Sequence, residues 1–206
     1  MKLSAGVRPL AIVFATAAAL LAGAPADAQS QTPVRLGSQD QPQGPETFTA
    51  TATVKSAAGP TVSVPVVIGI TNWTSDADRA KVLAALKTGD SGAAKAALEG
   101  LPEAGTIQTN QRTIPLRFAR SRGTGSSRVI TVVAPQPLIF LGEGGPGAKP
   151  KEGYDFAFAT FLVDASGKGN AGDLAPAARL GVDANDAVVV EDYGAEAVRL
   201  TGIAKK

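Results

Sequence analysis

The amino-acid sequence predicts a mainly β (α+β) domain, either an antiparallel β-sandwich or a half-barrel meander, with one inserted helical hairpin at about residues 75–99. Apolar residues recur at every second position in several short segments, which is the period of a strand with one face in a core. About ten such segments are joined mostly by short turns, and this favours an antiparallel meander over parallel βαβ units. A content of 44% hydrophobic residues, with Gly 23 and Pro 14, fits a real core connected by many turns.

Residues 1–28 have the pattern of a secretory signal peptide. Lys2 and Arg8 make a basic start, an apolar run covers Leu10–Ala22, and Ala26–Ala28 matches an A-x-A cleavage site. The run is shorter than the roughly 20 residues that span a membrane, and small residues dominate it. We therefore expect cleavage after Ala28, a periplasmic or extracellular location and no transmembrane segment in the mature chain.

The rest of the chain divides into a linker at residues 29–45 and a single β-rich domain at 46–206. The linker is rich in Gln, Pro, Gly and Ser, a composition that favours a flexible segment. The domain begins with alternating apolar and threonine residues, and a turn at 58–60 joins this strand to the alternating segment Thr61–Ile70. Pro65 has no amide hydrogen to donate, so we expect it at a sheet edge or a bulge.

The helical hairpin follows directly. Ser75 is placed to cap the first helix, which ends near Lys87, and Asp90 or Ser91 is placed to cap a second helix that runs to about Glu99. We expect the pair to lie across one opening of the sheet. Trp73 precedes the hairpin, and we expect it to plug the core beneath the first helix.

Strand signals fill the remainder of the domain. The segment Tyr154–Asp164 is apolar on both faces, so it is expected to be buried on both sides and to lie at the centre of the sheet. The other predicted strands are 106–110, 114–122, 128–134, 137–141, 174–182, 187–192 and 198–203.

Composition excludes several kinds of chemistry. The chain has no cysteine and no histidine, which excludes thiol nucleophiles, disulfides, thiolate or imidazole metal sites and histidine-dependent triads. A formal net charge of +2 argues against nucleic acid as a partner, because such binding needs a dense basic face. No cofactor and no metal site are predicted.

The glycine-rich stretch Gly142–Gly147 has the letters of a dinucleotide-binding loop. Pro146 and Pro150 prevent the helix that would have to follow it, so we interpret it as a loop at the rim of a binding surface, with Lys149 beside it.

The acidic residues near the predicted central strand are the other candidates for chemistry. Asp155, Asp164, Glu191 and Asp192 form the densest set of carboxylates, but Glu191 and Asp192 are adjacent on a strand and point to opposite faces. Roles in turns and at the solvated surface are favoured over acid–base catalysis.

Arginines gather on the predicted strand 114–122. Arg120 and Arg122 share a face with Phe118, whereas Arg117 is expected opposite, so the basic patch is divided between two faces. An exposed hairpin and a surface for an anionic cell-envelope polymer both fit this pattern. The candidate ligand-binding residues of the chain are Trp73, Arg120, Arg122, Lys149, Tyr154 and Tyr193.

Several short strings occur together in the chain. They are Trp73-Thr74 before Asp78-Arg79, Ile130–Val133, Gly145–Lys151 before Gly153–Asp155, Leu174–Ala178 and Glu191–Gly194. Together, over about Thr47 to Ile203, they resemble a family of small secreted bacterial proteins with no assigned activity. The resemblance implies a single secreted domain and carries over no catalytic residue, cofactor or ligand.

The leading functional hypothesis is a non-catalytic secreted or periplasmic domain that binds or scaffolds, with a cell-envelope component among its expected partners. The alternative is a carrier of a small apolar ligand, held between β layers by Phe140, Phe156 and Phe158. A carboxylate-dependent hydrolase, such as a glycosidase, is the third hypothesis and needs two suitably spaced carboxyl groups in a cleft.

Overall fold

The computed structural model describes residues 41–42, 44–55, 61–110, 112–138, 152–194 and 197–206. Within these residues the secondary structure comprises two helices and eleven strands. In chain order they are β1 (Glu46–Lys55), β2 (Thr61–Ile70), α1 (Asp76–Lys87), α2 (Ser91–Glu99), β3 (Gly105–Gln108), β4 (Thr113–Leu116), β5 (Phe118–Thr124), β6 (Ser127–Ala134), β7 (Phe156–Asp164), β8 (Lys168–Gly169), β9 (Ala171–Val182), β10 (Val188–Tyr193) and β11 (Val198–Lys205). The mainly β prediction with one helical hairpin is confirmed.

The strands form one curled antiparallel sheet, a half-barrel. Its order is β4-β3-β2-β1-β11-β9-β7-β6-β5, while β10 pairs with β9 and β8 pairs with β11. The two ends of this order, β4 and β5, are separated in sequence only by Arg117, whose amide donates to the Val133 carbonyl at 2.9 Å. The curl therefore brings the last strand of the order back to the first. Pro65 pairs with Thr51 of β1 outside the β2–β3 ladder, an edge position as predicted.

The concave side of the sheet holds the larger hydrophobic core. Every second residue of the strands points into it, and Phe48 of β1 meets Phe161 of β7 edge to face, with ring centroids 5.2 Å apart. Residues from nine strands line this interior, so the alternation seen in the sequence marks inward positions.

The helices cover the outer side of the same sheet. Val82, Leu83 and Leu86 of α1 pack in a second core that includes Phe156 and Phe158 of β7. The expectation that the hairpin lies across an opening is thus wrong, because these phenylalanines alternate along β7 with residues of the interior core. Burial of β7 on both faces is confirmed, but its predicted place at the centre of the sheet is wrong, because β7 is the third strand from the β5 end of the order.

The helix starts follow the capping signals. The Ser75 hydroxyl accepts from the Asp78 amide at 3.1 Å, and the Asp90 carboxylate accepts from the Gly92 amide at 2.8 Å. Neither helix of the described chain has the length and apolar character needed to cross a membrane.

Three local expectations are corrected. Trp73 packs against the interior core and not beneath α1. The predicted strand 114–122 is broken at Arg117 into β4 and β5. In the predicted strand 137–141, Pro137 and Leu138 lie outside any strand, and residues 139–141 lie outside the described residues.

Two aspartates close turns at the ends of strands. The Asp164 carboxylate accepts from the Ser166 hydroxyl at 2.7 Å and from the Ser166 amide at 2.8 Å, and Asp183 accepts from the Ala187 and Asn185 amides at 2.8 Å each. These hydrogen bonds favour the charged form and hold the pKa of both carboxyls below the ordinary value of 3.8.

A pH-dependent cost of Asp183→Asn is therefore expected. A carboxyl whose pKa is lowered by folding adds stability above its unfolded pKa, and this stability is lost as the pH falls through the lower folded value. The variant should melt below wild type at pH 7, and the difference should shrink as the pH falls below about 4. Thermal unfolding followed by circular dichroism from pH 7 to pH 2 measures it, with Glu103→Gln as an exposed control. If the difference in melting temperature between wild type and Asp183→Asn stayed constant across this range, the lowered pKa of Asp183 would be contradicted.

Candidate functional site

Polar residues replace apolar ones at one end of the half-barrel interior. Four strands carry a polar inward residue two positions from an apolar core residue, and Gln41 joins them from the segment before β1. We call this set the polar end; its members are Gln41, Glu46 of β1, Ser121 of β5, Arg128 of β6 and Lys205 of β11.

A buried carboxylate pairs with two cations at the polar end. Arg128 Nη2 donates to Glu46 Oε1 at 2.9 Å and to Oε2 at 2.7 Å, and Lys205 Nζ donates to Oε1 at 2.6 Å. The Glu46 residue is 8% exposed, and the Arg128 guanidinium carbon lies 5.8 Å from the centroid of the Phe48 ring. One negative and two positive charges leave the group with a local charge of about +1.

The segment before β1 crosses this end of the barrel. Gln41 Oε1 accepts from the Ser121 amide at 3.1 Å, and the Gly44 carbonyl accepts from Trp73 Nε1 at 2.9 Å. Composition assigns both Gln41 and Gly44 to the linker, and both contact the domain. Next to this contact, Thr74 Oγ1 accepts from the Ala119 amide at 2.9 Å. Side-chain oxygens thus accept hydrogen bonds from the Ala119 and Ser121 amides, which lie on the edge of β5 away from β6.

Three buried polar atoms at the polar end have no hydrogen-bond partner among the described residues. They are Gln41 Nε2, Ser121 Oγ and Arg128 Nη1. Buried polar atoms are nearly always paired, so three such atoms in one group call for an explanation. The orientation of the Gln41 amide follows from its contact, because the Ser121 amide can only donate and must face the oxygen. The site can therefore donate hydrogen bonds to a group that enters it.

The structure brings Trp73 to this end, but places Arg120 and Arg122 on the outer side of β5. Arg120 Nη1 donates to the Thr74 carbonyl at 2.8 Å, and its Nη2 donates to Asp76 at 2.9 Å, so this side chain anchors the start of α1. Desolvation lowers the pKa of Arg120 below its ordinary value. Arg122 is exposed.

The two tyrosines lie near the other end of β7. Tyr154 is buried, and its hydroxyl donates to the Asp192 carboxylate, whereas the neighbouring Tyr193 is 45% exposed. Because Tyr154 precedes β7 and Arg128 pairs with Val163 near its end, the tyrosines do not join the polar end. Lys149 and the glycine-rich loop lie outside the described residues.

The structure also separates the residues of the other two hypotheses. Phe156 and Phe158 pack beneath the helical hairpin, and Phe140 lies outside the described residues. Asp155 precedes β7 and Asp164 is its last residue, so the two lie about 30 Å apart at the usual rise per residue of a strand. Among the described residues no group of three or more acidic side chains is placed to hold a metal ion.

Glu46, Ser121 and Arg128 were not among the sequence candidates as a group. The sequence does contain a signal for two of them. Glu46 is two positions from Phe48, and Arg128 is two positions from Ile130, so each points to the same face of its strand as an apolar core residue. A polar residue at an inward position is the feature that would have found them.

The chain was also compared with family models, with curated proteins and with solved structures, and none of them matched. The resemblance to a family of small secreted bacterial proteins therefore stays a prediction. A function must be argued from the side chains of the polar end.

Proposed function

We propose that this chain is a non-catalytic binding domain that is exported from the cytoplasm and that takes its ligand at the polar end. The observation that carries the proposal is the set of three buried, unpartnered polar atoms, Gln41 Nε2, Ser121 Oγ and Arg128 Nη1. An unpaired buried polar group costs about 1–3 kcal/mol, and a bound ligand group that accepts from these atoms offsets that cost.

The polar end has the features of a small ligand site. Ser121 is 5% exposed, so its hydroxyl is shielded from bulk water, whereas the Lys205 side chain is 40% exposed and reaches solvent. Apolar core residues adjoin the polar atoms on the inner side. Convergent polar groups with apolar walls are typical of sites that orient a small molecule.

The carboxylates support binding over acid–base catalysis. Asp164 is engaged in its own turn, and Asp192 accepts from Tyr154, so neither is available as a partner for Asp155. Glu46 lies between two cations at short distances, which holds it as a fixed counter-charge. Export is supported by the leader pattern of residues 1–28.

A ligand screen with a parallel activity screen tests the proposal. The exported protein is mixed with a library of neutral, cationic and anionic small molecules, and its melting temperature is recorded for wild type and for Ser121→Ala. We expect at least one compound to stabilise wild type, to stabilise the variant much less, and to remain chemically unchanged. Turnover of chromogenic esters or glycosides that is abolished by Asp155→Asn or Glu191→Gln would overturn the proposal, as would ligands that ignore the Ser121 change.

A further inference from the structure

We propose that the polar end binds a compact monocarboxylate, with Gln41, Ser121 and Arg128 as the residues that recognise its two oxygens. The inference rests on the proposed function and adds the chemical class of the ligand. It is argued from the hydrogen-bonding capacity, the charge and the placement of these side chains.

The unused capacity of the site is for donation. A guanidinium nitrogen and an amide nitrogen each carry two hydrogens and cannot accept, and a serine hydroxyl can donate one. Arg128 Nη1, Gln41 Nε2 and Ser121 Oγ thus offer up to five hydrogens. A carboxylate accepts only and has about four lone-pair positions, so it complements this set, and its bond to the guanidinium is charge-assisted.

The charge of the site favours a monoanion. Glu46 already neutralises one of the two cations, so the described polar end has a surplus of about one positive charge. A dianion would leave an uncompensated negative charge where Glu46 is buried, which is costly. The charged groups have apolar neighbours, because Arg128 lies over the Phe48 ring and Trp73 packs against the interior core.

Two of the donors lie on the same face of neighbouring strands. Ser121 pairs with Ile130, and Gly123 pairs with Arg128, so Ser121 and Arg128 are diagonal neighbours on the inward side of β5 and β6. Diagonal positions are about 7–8 Å apart at their Cα atoms, within reach of an arginine side chain. The hydrogen bond from the Ser121 amide to Gln41 Oε1 places the third donor beside Ser121, at the edge of β5 that faces away from β6.

Trp73 provides a direct readout, because it is the single tryptophan of the chain and its indole donates to the segment that carries Gln41. Wild-type protein is titrated with sodium acetate, with acetamide as the neutral isostere and with sodium phosphate as the multiply charged oxyanion, at constant ionic strength. Trp73 fluorescence and melting temperature are recorded together. We expect a saturable response to acetate, half complete at millimolar concentrations, as suits so small a ligand.

Three variants locate the response. Ser121→Ala removes the unpartnered hydroxyl, and Gln41→Glu keeps an oxygen for the Ser121 amide while replacing the donor nitrogen by a carboxylate oxygen. Each should weaken acetate binding at least about tenfold, as expected for loss of a hydrogen bond to a charged group. The matched control Arg122→Gln removes a positive charge from the outer side of the same strand and should change the affinity by less than about twofold. Melting curves confirm that each variant is folded.

The outcomes separate this inference from the proposed function. The carboxylate assignment would be overturned if acetate gave no saturable response, if acetate and acetamide gave equal responses, or if phosphate bound more tightly than acetate. Equal losses of acetate affinity in Arg122→Gln and Ser121→Ala would also overturn it. A neutral ligand from the screen that depends on Ser121 would uphold binding at the polar end and overturn only its chemical class. Acetate binding that is lost in both site variants and kept in the control supports both.

Discussion

Replacing Glu46 by glutamine is expected to lower the free energy of unfolding by about 3 kcal/mol. The change removes the negative charge that faces Arg128 at 2.7 Å, and the Arg128 side chain is only 21% exposed. Loss of one partner of a buried ion pair destabilises the fold, because the other charge stays buried without its counter-charge. The Lys205 side chain is 40% exposed and can turn toward water, so it contributes little of the loss. Urea unfolding at pH 7, followed by circular dichroism, measures the change.

Two further variants show that the cost comes from burial of an unpaired charge. Asp173→Asn breaks the ion pair with Arg199, whose atoms are 3.9 Å apart and whose side chains are both well exposed, so it should cost less than about 0.5 kcal/mol. Glu46→Gln combined with Arg128→Met removes both buried charges and should recover about half or more of the loss. This account would be contradicted if Glu46→Gln and Asp173→Asn lowered the free energy of unfolding equally. It would also be contradicted if the double variant lost more free energy of unfolding than Glu46→Gln and Arg128→Met lose together.

The first hairpin and the helical hairpin were predictable because their signals are local. Alternation in Glu46–Lys55 and Thr61–Ile70 marks two strands of equal length, which pair residue for residue. Ser75 caps α1 by the bond that its position predicts. In these elements the residues that decide the structure lie within a few positions of one another.

The polar end was not predictable in the same way, and the break at Arg117 is one reason. Ile114 and Leu116 point inward, and an unbroken strand would continue that face through Phe118 and Arg120. The break shifts the pattern by one position, so that Ala119 and Ser121 point inward and Phe118 packs beneath the helices. A shift of one residue turns every later side chain to the other face. The sequence of the strand itself gives no sign of it.

The contacts that complete the site are also distant in sequence. Glu46 meets Arg128 and Lys205, and Gln41 meets Ser121, across 80 residues or more. Gln41 lies in a segment whose composition is typical of a flexible linker. Such pairings follow from the curl of the whole sheet, and local patterns carry no information about them.

The second large effect is expected at Gly105, the first residue of β3. Gly105 has a φ of +149°, and a Cβ there would lie 1.9 Å from the Gly69 carbonyl oxygen of β2. Alanine at this position would have to push apart the two strands where Gly105 pairs with Ile70. We expect Gly105→Ala to lower the free energy of unfolding by about 4 kcal/mol, since it combines an unfavourable backbone conformation with a clash against main chain.

Two other glycines separate the two contributions. Gly125 has a φ of +70° with open space around it, so Gly125→Ala should show the conformational cost alone, about 1 kcal/mol. Gly169 meets the Leu162 carbonyl oxygen at 1.9 Å without a positive φ, so Gly169→Ala should show the clash alone, about 3 kcal/mol. Urea unfolding of the three variants gives the three costs. If Gly105→Ala lowered the free energy of unfolding no more than Gly125→Ala, strands β2 and β3 would not approach as closely as the fold requires. The sheet would then not curl at this edge in the way that assembles the polar end.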